Sequence, residues 1–408
     1  MIDRLVVLND VSAARGGATG LALASVRALR ARGVPVTFIA GDSGENPELR
    51  DLGVEIVPMG QALLLEASMG EAFFRGLYNR RTISVAGDWI TRNDTHRTIY
   101  HVHTWAKILS PSLFQVLRPV ADRLAVSAHD FFLVCPNGGY VFYRTGRVCE
   151  LRPMSRACVF AACDRRTYGH KLWRVARQAI RSILFDLRRT PPLVLAIHDG
   201  MRAGLERGGI PSHAIKVLRN PIDAFTRDRI SAERNKEVVF IGRLNLEKGA
   251  DLAAKAARLA GAKLRIIGDG PMLERLKRDY PEVTFEGWRS HAEIGRLVSS
   301  ARALVMPSRY PEPFGLVAGE ALWSGLPVVL SDTAMMADEI VKRGAGLACD
   351  IRSENALVEV LQQVFANDAD TRQMSTNAFE ATRDLGNTLS DWTDALISIY
   401  EGLAAKIT

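Results

Sequence analysis

The feature that most constrains the fold is a regular alternation of short β-branched runs with longer amphipathic stretches. Runs such as RLVVLND, VPVTFIAGD, RTIYHVH and PLVLAIHD are almost continuously apolar, and a helical pattern follows each one. Such runs are typical of parallel strands that are buried on both faces. The sequence therefore predicts an α/β protein with a doubly wound, Rossmann-like architecture.

The alternation occurs twice, which predicts two domains. The second series begins with EVVFIGRL, after IKVLRNPIDAF and the charged connector TRDRISAERNKE. We place the first domain at residues 1–222 and the second at residues 223–387. In such folds ligands bind at the carboxyl ends of the strands, so we expect the two domains to face a cleft.

The distribution of charged residues along the chain indicates which kinds of molecule the protein could bind. Residues 1–220 carry 30 basic against 18 acidic side chains, a net +12, whereas the remaining residues carry 23 against 27, a net −4. This asymmetry predicts that the first half meets an anionic partner, such as nucleic acid, a lipid surface or a phosphorylated substrate. No apolar run approaches the roughly 18 to 20 residues of a membrane span, and MIDRLVVLND lacks a signal-peptide pattern. We therefore expect a cytoplasmic protein.

Two glutamates, Glu312 and Glu320, flank an apolar segment in RYPEPFGLVAGEALWSGLPVV. The strand pattern ALVMPS ends just before it, so Glu312 is expected in a loop and Glu320 about one turn inside the following helix. The start of that helix offers free backbone N–H groups and a positive dipole end to a phosphate. Carboxylates on either side of the phosphate would bind hydroxyl groups. This layout fits a nucleotide sugar, which joins a sugar, a diphosphate and a ribose.

Cations and glycines at other strand ends favour the same ligand. Arg243 and Lys248 follow the strand pattern VVFIG at a spacing that lets both reach one site and neutralise a leaving diphosphate. Gly16 and Gly17 form a turn between the first strand and the first helix, where the backbone can approach phosphate closely. Each signal is common in ordinary loops, but their order along one chain indicates a nucleotide-sugar site.

By these residues and the motifs around them, the chain resembles the retaining nucleotide-sugar glycosyltransferases of the GT-B fold, often called glycosyltransferase family four. The motifs that carry the resemblance are GGATGLAL, SAHDFFLVCPNGG, VLRNPID, FIGRLNLEKG, IIGDGP, FEGW and YPEPFGLVAGEAL. It implies transfer of a hexose-type sugar from a UDP- or GDP-linked donor to a glycan or lipid-linked acceptor, with retention and without a catalytic metal. It also implies that the helical pattern at residues 388–408 crosses back to the first domain.

The resemblance also implies roles for individual residues. Glu312 would bind hydroxyls of the donor sugar, and His129 would touch that sugar near the transferred carbon. Arg243 and Lys248 would hold the diphosphate, while Glu320 would bind the ribose. The remaining residues that we expect to bind the donor are Gly16, Gly17, Asn220, Gly268, Gly270, Glu286, Phe314, Gly315 and Leu316.

Four of the five cysteines cluster in one segment of the first half: Cys135, Cys149, Cys158 and Cys163. In a cytosolic protein, clustered thiols indicate a metal site or reduced packing residues rather than disulfides. The spacing lacks a C-x2-C pair, so both interpretations stay open. A structural zinc would order the loop that follows HDFFLVCPNGG.

Residues 165–189 carry eight Lys or Arg against one acid, and their apolar residues recur at helical spacing. We expect an amphipathic helix with one apolar and one strongly cationic face. Such a helix can lie on an anionic bilayer at the inner side of the membrane, or it can pack on the domain core with a solvated cationic face.

Other classes of function share these features. A nucleic-acid-binding protein would explain the basic half, but the sequence has no aromatic-basic RNA motif or zinc-finger pattern, so we expect no nucleic-acid partner. A nucleotide-sugar sensor, an epimerase or a phosphorylase of the same fold would retain the two domains without transfer to such an acceptor.

Overall fold

A computed structural model describes residues 2–14, 16–353 and 355–405 of the chain. It is an α/β structure with two parallel sheets, each at the centre of its own unit. The first unit comprises the described residues of Met1–Tyr140, Cys149–Leu218 and Leu389–Thr408. The second comprises Val141–Val148 and the described residues of Arg219–Thr388.

The strands, in chain order, are β1 (Arg4–Asn9), β2 (Val36–Ala40), β3 (Glu55–Pro58), β4 (Thr98–Val102), β5 (Leu124–Ala128), β6 (Val141–Phe142), β7 (Arg147–Val148), β8 (Leu193–Ala196), β9 (Ile215–Val217), β10 (Glu237–Ile241), β11 (Lys263–Ile267), β12 (Thr284–Gly287), β13 (Ala301–Met306), β14 (Val328–Ser331) and β15 (Gly346–Cys349).

The α-helices alternate with these strands. They are α1 (Gly17–Ala31), α2 (Pro47–Asp51), α3 (Met69–Leu77), α4 (Arg80–Asn93), α5 (Ser112–Leu117), α6 (Arg156–Phe160), α7 (Tyr168–Leu184), α8 (Arg202–Arg207), α9 (Ala250–Ala260), α10 (Leu273–Asp279), α11 (His291–Val298), α12 (Leu316–Trp323), α13 (Ala337–Lys342), α14 (Ala356–Ala366), α15 (Asp368–Ala381) and α16 (Leu389–Ala404). Within the described ranges, no helix combines the length and the apolar character needed to cross a bilayer.

The first unit is built on a parallel sheet with the strand order β3-β2-β1-β4-β5-β8-β9. Strands β1, β2 and β4 are buried along almost their whole length, as their continuous apolar patterns predict. The last helix, α16, places Trp392, Leu396 and Tyr400 in the hydrophobic core of this sheet together with Leu5 and Phe38. These helix residues share one face at intervals of about four, so the helix completes the core of the first unit.

The second unit has the strand order β12-β11-β10-β13-β14-β15, with all pairs parallel. The chain leaves β10 towards β11 on one side, and it places β13 on the other side of β10. The loops that follow β10 and β13 therefore depart in opposite directions at the carboxyl edge of the sheet. This topological switch point is where open α/β sheets bind ligands.

Helix α7 has the opposite orientation from the one that its sequence predicts. Lys171, Arg177 and Arg181 are buried, whereas Leu172 and Ile183 are exposed. The interpretation of a helix packed on the domain core with a solvated cationic face is therefore wrong for these three side chains, whereas association with an anionic bilayer stays a prediction. The physical reason is that the interior offers partners for these cations, so their long aliphatic stems can be buried.

The buried arginines of α7 illustrate these partners. The guanidinium carbon of Arg177 lies 5.0 Å from the ring centroid of Trp105 and 5.5 Å from that of Trp173. Arg181 donates a hydrogen bond of 2.9 Å to the carbonyl oxygen of Phe185. Cation–π contacts and carbonyl hydrogen bonds thus replace solvent around these side chains.

Candidate functional site

The loops after β10 and β13 bring Lys248 and Glu312 together within the second unit. The Lys248 ammonium donates a hydrogen bond to Glu312 Oε1 and forms an ion pair with it. The hydroxyl of Ser308 donates to the other carboxylate oxygen, Glu312 Oε2, at 2.6 Å. Glu312 is buried, and both of its carboxylate oxygens have partners.

Backbone contacts hold these two loops in register. Gly249, directly after Lys248, has a φ of 77°, and a Cβ at this position would lie 2.1 Å from the carbonyl oxygen of Pro307. Only glycine permits this approach. The backbone N–H of Lys248 also donates to the side chain of Asn245 at 3.1 Å. The position of the ammonium is therefore fixed by local structure as well as by its ion pair.

The ion pair sets the protonation of both groups. Burial by itself would raise the pKa of Glu312, but the Lys248 ammonium and the Ser308 hydroxyl outweigh it and hold that pKa below its usual value. Burial would likewise lower the pKa of Lys248, yet the Glu312 carboxylate raises it above its usual value. Both residues are charged at neutral pH, which is the state that binding a diphosphate and hydroxyl groups requires.

Gly268 and Gly270, which are predicted to bind the donor, allow two neighbouring loops to pack closely. A Cβ at Gly268 would lie 1.9 Å from the carbonyl oxygen of Gly242, and one at Gly270 would lie 2.5 Å from that of Leu244. The loops after β10 and β11 are therefore in direct backbone contact. Arg243 lies in the first of these loops, and its side chain is exposed.

Glu286, predicted to frame the nucleotide base, lies on β12 among cations. Its carboxylate pairs with Arg265 and with Arg289, the latter at 3.3 Å. The Glu286 carboxylate therefore already has two cationic partners and neutralises part of their charge.

Helix α12 begins shortly after Glu312 in the chain. Gly315 directly precedes it with a φ of 65°, in the left-handed region that favours glycine, and Phe314 is buried. The chain thereby turns from the loop that carries Glu312 into the helix that starts at Leu316. The first N–H groups of a helix have no partner within it, so this terminus suits an anion.

Glu320 lies in the second turn of α12, and His291 lies near it. The Nε2 atom of His291 is 3.8 Å from Glu320 Oε1 and 3.2 Å from the carbonyl oxygen of Asp223. Burial raises the pKa of Glu320 to about 8, and the negative charge of Asp223 adds to the shift. Glu320 is therefore mostly protonated at neutral pH. Nothing in the sequence around His291 distinguished it from a surface histidine at a helix start.

In the first unit, His129 belongs to a set of three neighbouring histidines. His129 Nε2 lies 3.2 Å from His103 Nδ1, and the rings of His103 and His101 are 4.1 Å apart between centroids. His101 in turn contacts the hydroxyls of Tyr400 and Ser127 at 2.7 and 2.9 Å. The HVH spacing at the end of β4 predicts that His101 and His103 share a face, but it does not predict that His103 contacts His129.

Burial keeps these histidines neutral. It lowers the pKa of His129 to about 4 and that of His101 to about 3, with His129 adding to the latter shift. Burial lowers the pKa of His103 well below its usual value, and the other two histidines add to the effect. Among the described residues, His103 Nε2 is buried without a hydrogen-bond partner.

The other predicted donor-binding residues lie at element ends. Gly16 directly precedes α1, which starts at Gly17, and a Cβ at Gly16 would meet no atom within 4 Å. Packing therefore does not explain this glycine. Asn220, in the second unit, is buried, and its carbonyl oxygen accepts a hydrogen bond of 3.1 Å from the backbone of Asn387.

The clustered cysteines surround a lysine instead of a metal. Lys171 Nζ lies 3.2 Å from Cys163 Sγ and 3.6 Å from Cys158 Sγ. Cys135 Sγ donates to the side-chain oxygen of Asn137 at 3.1 Å. The described residues contain no group of three or more His, Cys, Asp or Glu side chains arranged to hold a metal ion. The hypothesis of a structural zinc at Cys135, Cys149, Cys158 and Cys163 is not supported, because the Lys171 ammonium is the cation beside the sulfur atoms.

Comparison with known proteins identifies related sequences. Residues 222–381 match the family model described as "Glycosyl transferases group 1". The chain is 33% identical over 208 residues to glycogen synthase of Mycobacterium tuberculosis, a match that covers 47% of this chain and 49% of that protein. The chain thus spans about half the length of the curated relatives it matches.

Solved structures resemble the whole chain. Sucrose-phosphate synthase from Thermosynechococcus elongatus has a TM-score of 0.72 at 18% identity, covering 99% of this chain and 100% of that one. The Anabaena protein HepE, solved in complex with UDP and glucose, has a TM-score of 0.67 at 17% identity, covering 98% and 100%. The predicted fold class, two Rossmann-like α/β domains of the GT-B type, is confirmed.

Proposed function

We propose that the protein, whose residues 222–381 match the family model of the group 1 glycosyl transferases, transfers a hexose-type sugar from a UDP- or GDP-linked donor. The acceptor is a glycan or a lipid-linked glycan, and the reaction takes place in the cytoplasm, at the inner face of the membrane. The observation that carries this proposal is the Lys248–Glu312 ion pair, whose carboxylate belongs to the loop that leads into α12. The complex of HepE with UDP and glucose supports a nucleotide-sugar donor.

In this proposal, the start of α12 and the two cations bind the donor diphosphate. The backbone N–H groups of Leu316 and Val317 and the ammonium of Lys248 provide positive charge, and the exposed Arg243 supplies a guanidinium. Glu312 then accepts hydrogen bonds from hydroxyls of the donor sugar. We also propose that His129 contacts the donor sugar near the transferred carbon.

The proposed reaction retains the anomeric configuration. The bond between the anomeric carbon and the diphosphate oxygen breaks, and a bond forms between that carbon and the acceptor oxygen. The departing diphosphate oxygen takes the proton of the acceptor hydroxyl, so no protein nucleophile is required. The two occupied oxygens of Glu312 support a binding role over nucleophilic attack. Lys248 and Arg243 offset the charge on the leaving group, a task that a divalent metal performs in other transferases.

The test is incubation of the full chain with radiolabelled UDP- and GDP-sugars, with and without glycan and lipid-linked acceptors from a bacterial membrane extract. We expect labelled product only when an acceptor is present. Conversion of the donor without acceptor would instead indicate an epimerase, and donor binding without conversion would indicate a sensor. Lys248→Ala should lower product formation by at least about 100-fold, whereas the matched control Lys277→Ala, at an exposed lysine, should not.

A further inference from the structure

Helices α3, α6 and α7 of the first unit carry exposed apolar side chains. The loop before α3 carries another. We call this the α3–α7 apolar surface and define it by Leu65, Met69, Phe74, Phe160, Leu172 and Ile183. Met69 is 89% exposed, Phe74 72% and Ile183 79%. Side chains of this size and exposure, grouped in one region, mark a surface that contacts something else.

Direct contacts join the three helices. Trp173 on α7 donates a hydrogen bond of 3.2 Å to the carbonyl oxygen of Phe73 on α3. A Cβ at Gly76 would lie 2.4 Å from the Trp173 ring, so α3 packs directly against α7. The Tyr168 hydroxyl, at the start of α7, donates to the carbonyl oxygen of Val159 on α6 at 3.2 Å. The exposed apolar groups therefore lie on one continuous piece of structure.

The fold leaves this surface uncovered because α7 buries its cations. Lys171, Arg177 and Arg181 face the interior, where sulfur atoms, aromatic rings and a carbonyl oxygen receive them. Leu172 and Ile183 consequently face outward. Contacts within the first unit explain why the cationic side of α7 is buried. They do not explain why its other side is apolar.

The surroundings of the surface are strongly basic. Residues 65–81 and 152–189 together contain thirteen Lys or Arg against four Asp or Glu. The exposed arginines lie at the helix ends: Arg80 after α3, Arg156 at the start of α6, Arg165 before α7 and Arg188 after it. Apolar side chains flanked by cations complement an anionic lipid surface, which offers phosphates above hydrocarbon.

We propose that the α3–α7 apolar surface docks this protein on an anionic phospholipid bilayer. The apolar side chains enter the head-group region, and the flanking arginines contact lipid phosphates. A second copy of the chain is a poorer occupant, because a twofold contact would bring two sets of arginines together. This docking rests on the proposed function, because it names the surface that would hold the protein at the inner face of the membrane. Binding itself requires neither donor nor acceptor, so its failure is distinguishable from a failure of the transfer reaction.

The experiment is flotation of the full chain with vesicles of phosphatidylcholine alone or mixed with phosphatidylglycerol, without any sugar donor or glycolipid. We expect at least tenfold stronger binding to the anionic vesicles, weakened by salt because the electrostatic part is screened. Met69→Glu, Phe74→Glu and Ile183→Glu should each reduce binding at least tenfold. The control Leu259→Glu changes an exposed helix leucine of the second unit and should change binding less than twofold.

A second measurement does not depend on loss of binding. In Phe74→Trp, the new indole fluorescence should be quenched by vesicles whose lipids carry bromine on their acyl chains. Equal binding to neutral and anionic vesicles, absence of binding, or unchanged binding in the three glutamate variants would overturn the proposal. Self-association that Phe74→Glu abolishes, without any vesicle binding, would overturn it in favour of a second copy.

Discussion

The Lys248 ammonium is bound to the Glu312 carboxylate, although the two residues come from loops that follow different strands, β10 and β13. Each residue thereby keeps the other charged, although Glu312 is buried and Lys248 is partly buried. Removing one member of a buried pair typically destabilises a protein by about 3 to 5 kcal/mol, because the remaining charge is left uncompensated. Substitutions here therefore affect both the fold and the proposed chemistry, and the experiments must separate the two.

The first prediction concerns turnover. Lys248→Ala and Glu312→Ala should each lower kcat by at least about 100-fold, because each removes a group that stabilises the reacting sugar or the leaving diphosphate. Arg243→Ala should lower kcat too. The measurement is steady-state kinetics with whichever labelled donor yields product in the acceptor assay. Near-wild-type turnover in Glu312→Ala would refute the assignment of this site.

Stability measurements provide the control for these variants. Lys248→Met leaves Glu312 without its cation, so the pKa of that carboxyl should rise and the variant should be least stable at neutral pH. In the wild type, Glu312 has a lowered pKa, and its stabilising contribution is lost as pH falls below its unfolded value. The destabilisation by Lys248→Met should therefore shrink on acidification. The double variant Lys248→Met/Glu312→Gln should be less destabilised than the sum of the single changes.

The second prediction concerns Glu320. Its pKa is raised to about 8 in the folded protein, from an ordinary value of 4.5, so the folded state holds a proton that the unfolded chain releases between these values. The stability of the wild type should fall as pH rises through this window, and Glu320→Gln should show a flatter profile. Melting curves from pH 5 to pH 9 measure this difference. Identical slopes in the two proteins would show that the carboxyl is not perturbed.

Ligand binding provides an independent measurement at Glu320. A carboxylate accepts charge-assisted hydrogen bonds from ribose hydroxyls, and these are stronger than bonds to a neutral acid. The affinity for UDP or GDP should therefore increase between pH 7 and pH 9 as Glu320 ionises. Titration calorimetry should show no such increase in Glu320→Gln, where the remaining pH dependence belongs to the nucleotide.

The third prediction concerns the neighbouring histidines. Burial lowers the pKa values of His101 and His129 to about 3 and about 4, so the unfolded chain binds protons that the folded protein does not. Stability should therefore fall as pH drops from about 6.5 towards 4. His103→Phe should reduce this slope, whereas His213→Gln, at an exposed histidine, should not. A slope unchanged by His103→Phe would contradict the burial argument.

The fourth prediction concerns the cysteine cluster. Because Lys171 lies beside Cys158 and Cys163, a chelator should leave the melting temperature unchanged. The five cysteines are free and buried, so a thiol reagent should react with them only after unfolding. Stoichiometric zinc in the purified protein, lost together with thermal stability on chelation, would restore the metal hypothesis.

The sequence predicted the features that depend on local pattern. Almost continuous apolar runs indicated strands buried on both faces, and the structure contains them in two parallel sheets. The positions of Lys248 and Glu312 after strands could also be predicted, because a strand pattern ends where its apolar run ends. The return of α16 to the first unit agrees with its apolar spacing but was anticipated only through the family resemblance.

The tertiary structure alone decided which groups meet. Periodicity shows that α7 has two faces, but it does not say which one is buried, because the ring of Trp105, from a distant segment, stabilises Arg177 in the interior. Cysteine spacing could not show that Lys171 would lie among the thiols. The pairing of Lys248 with Glu312 requires β13 to lie beside β10, although β11 and β12 come between them in sequence. Local periodicity therefore determined the elements of this protein, whereas contacts between segments far apart in sequence determined its charged pairs and its exposed surface.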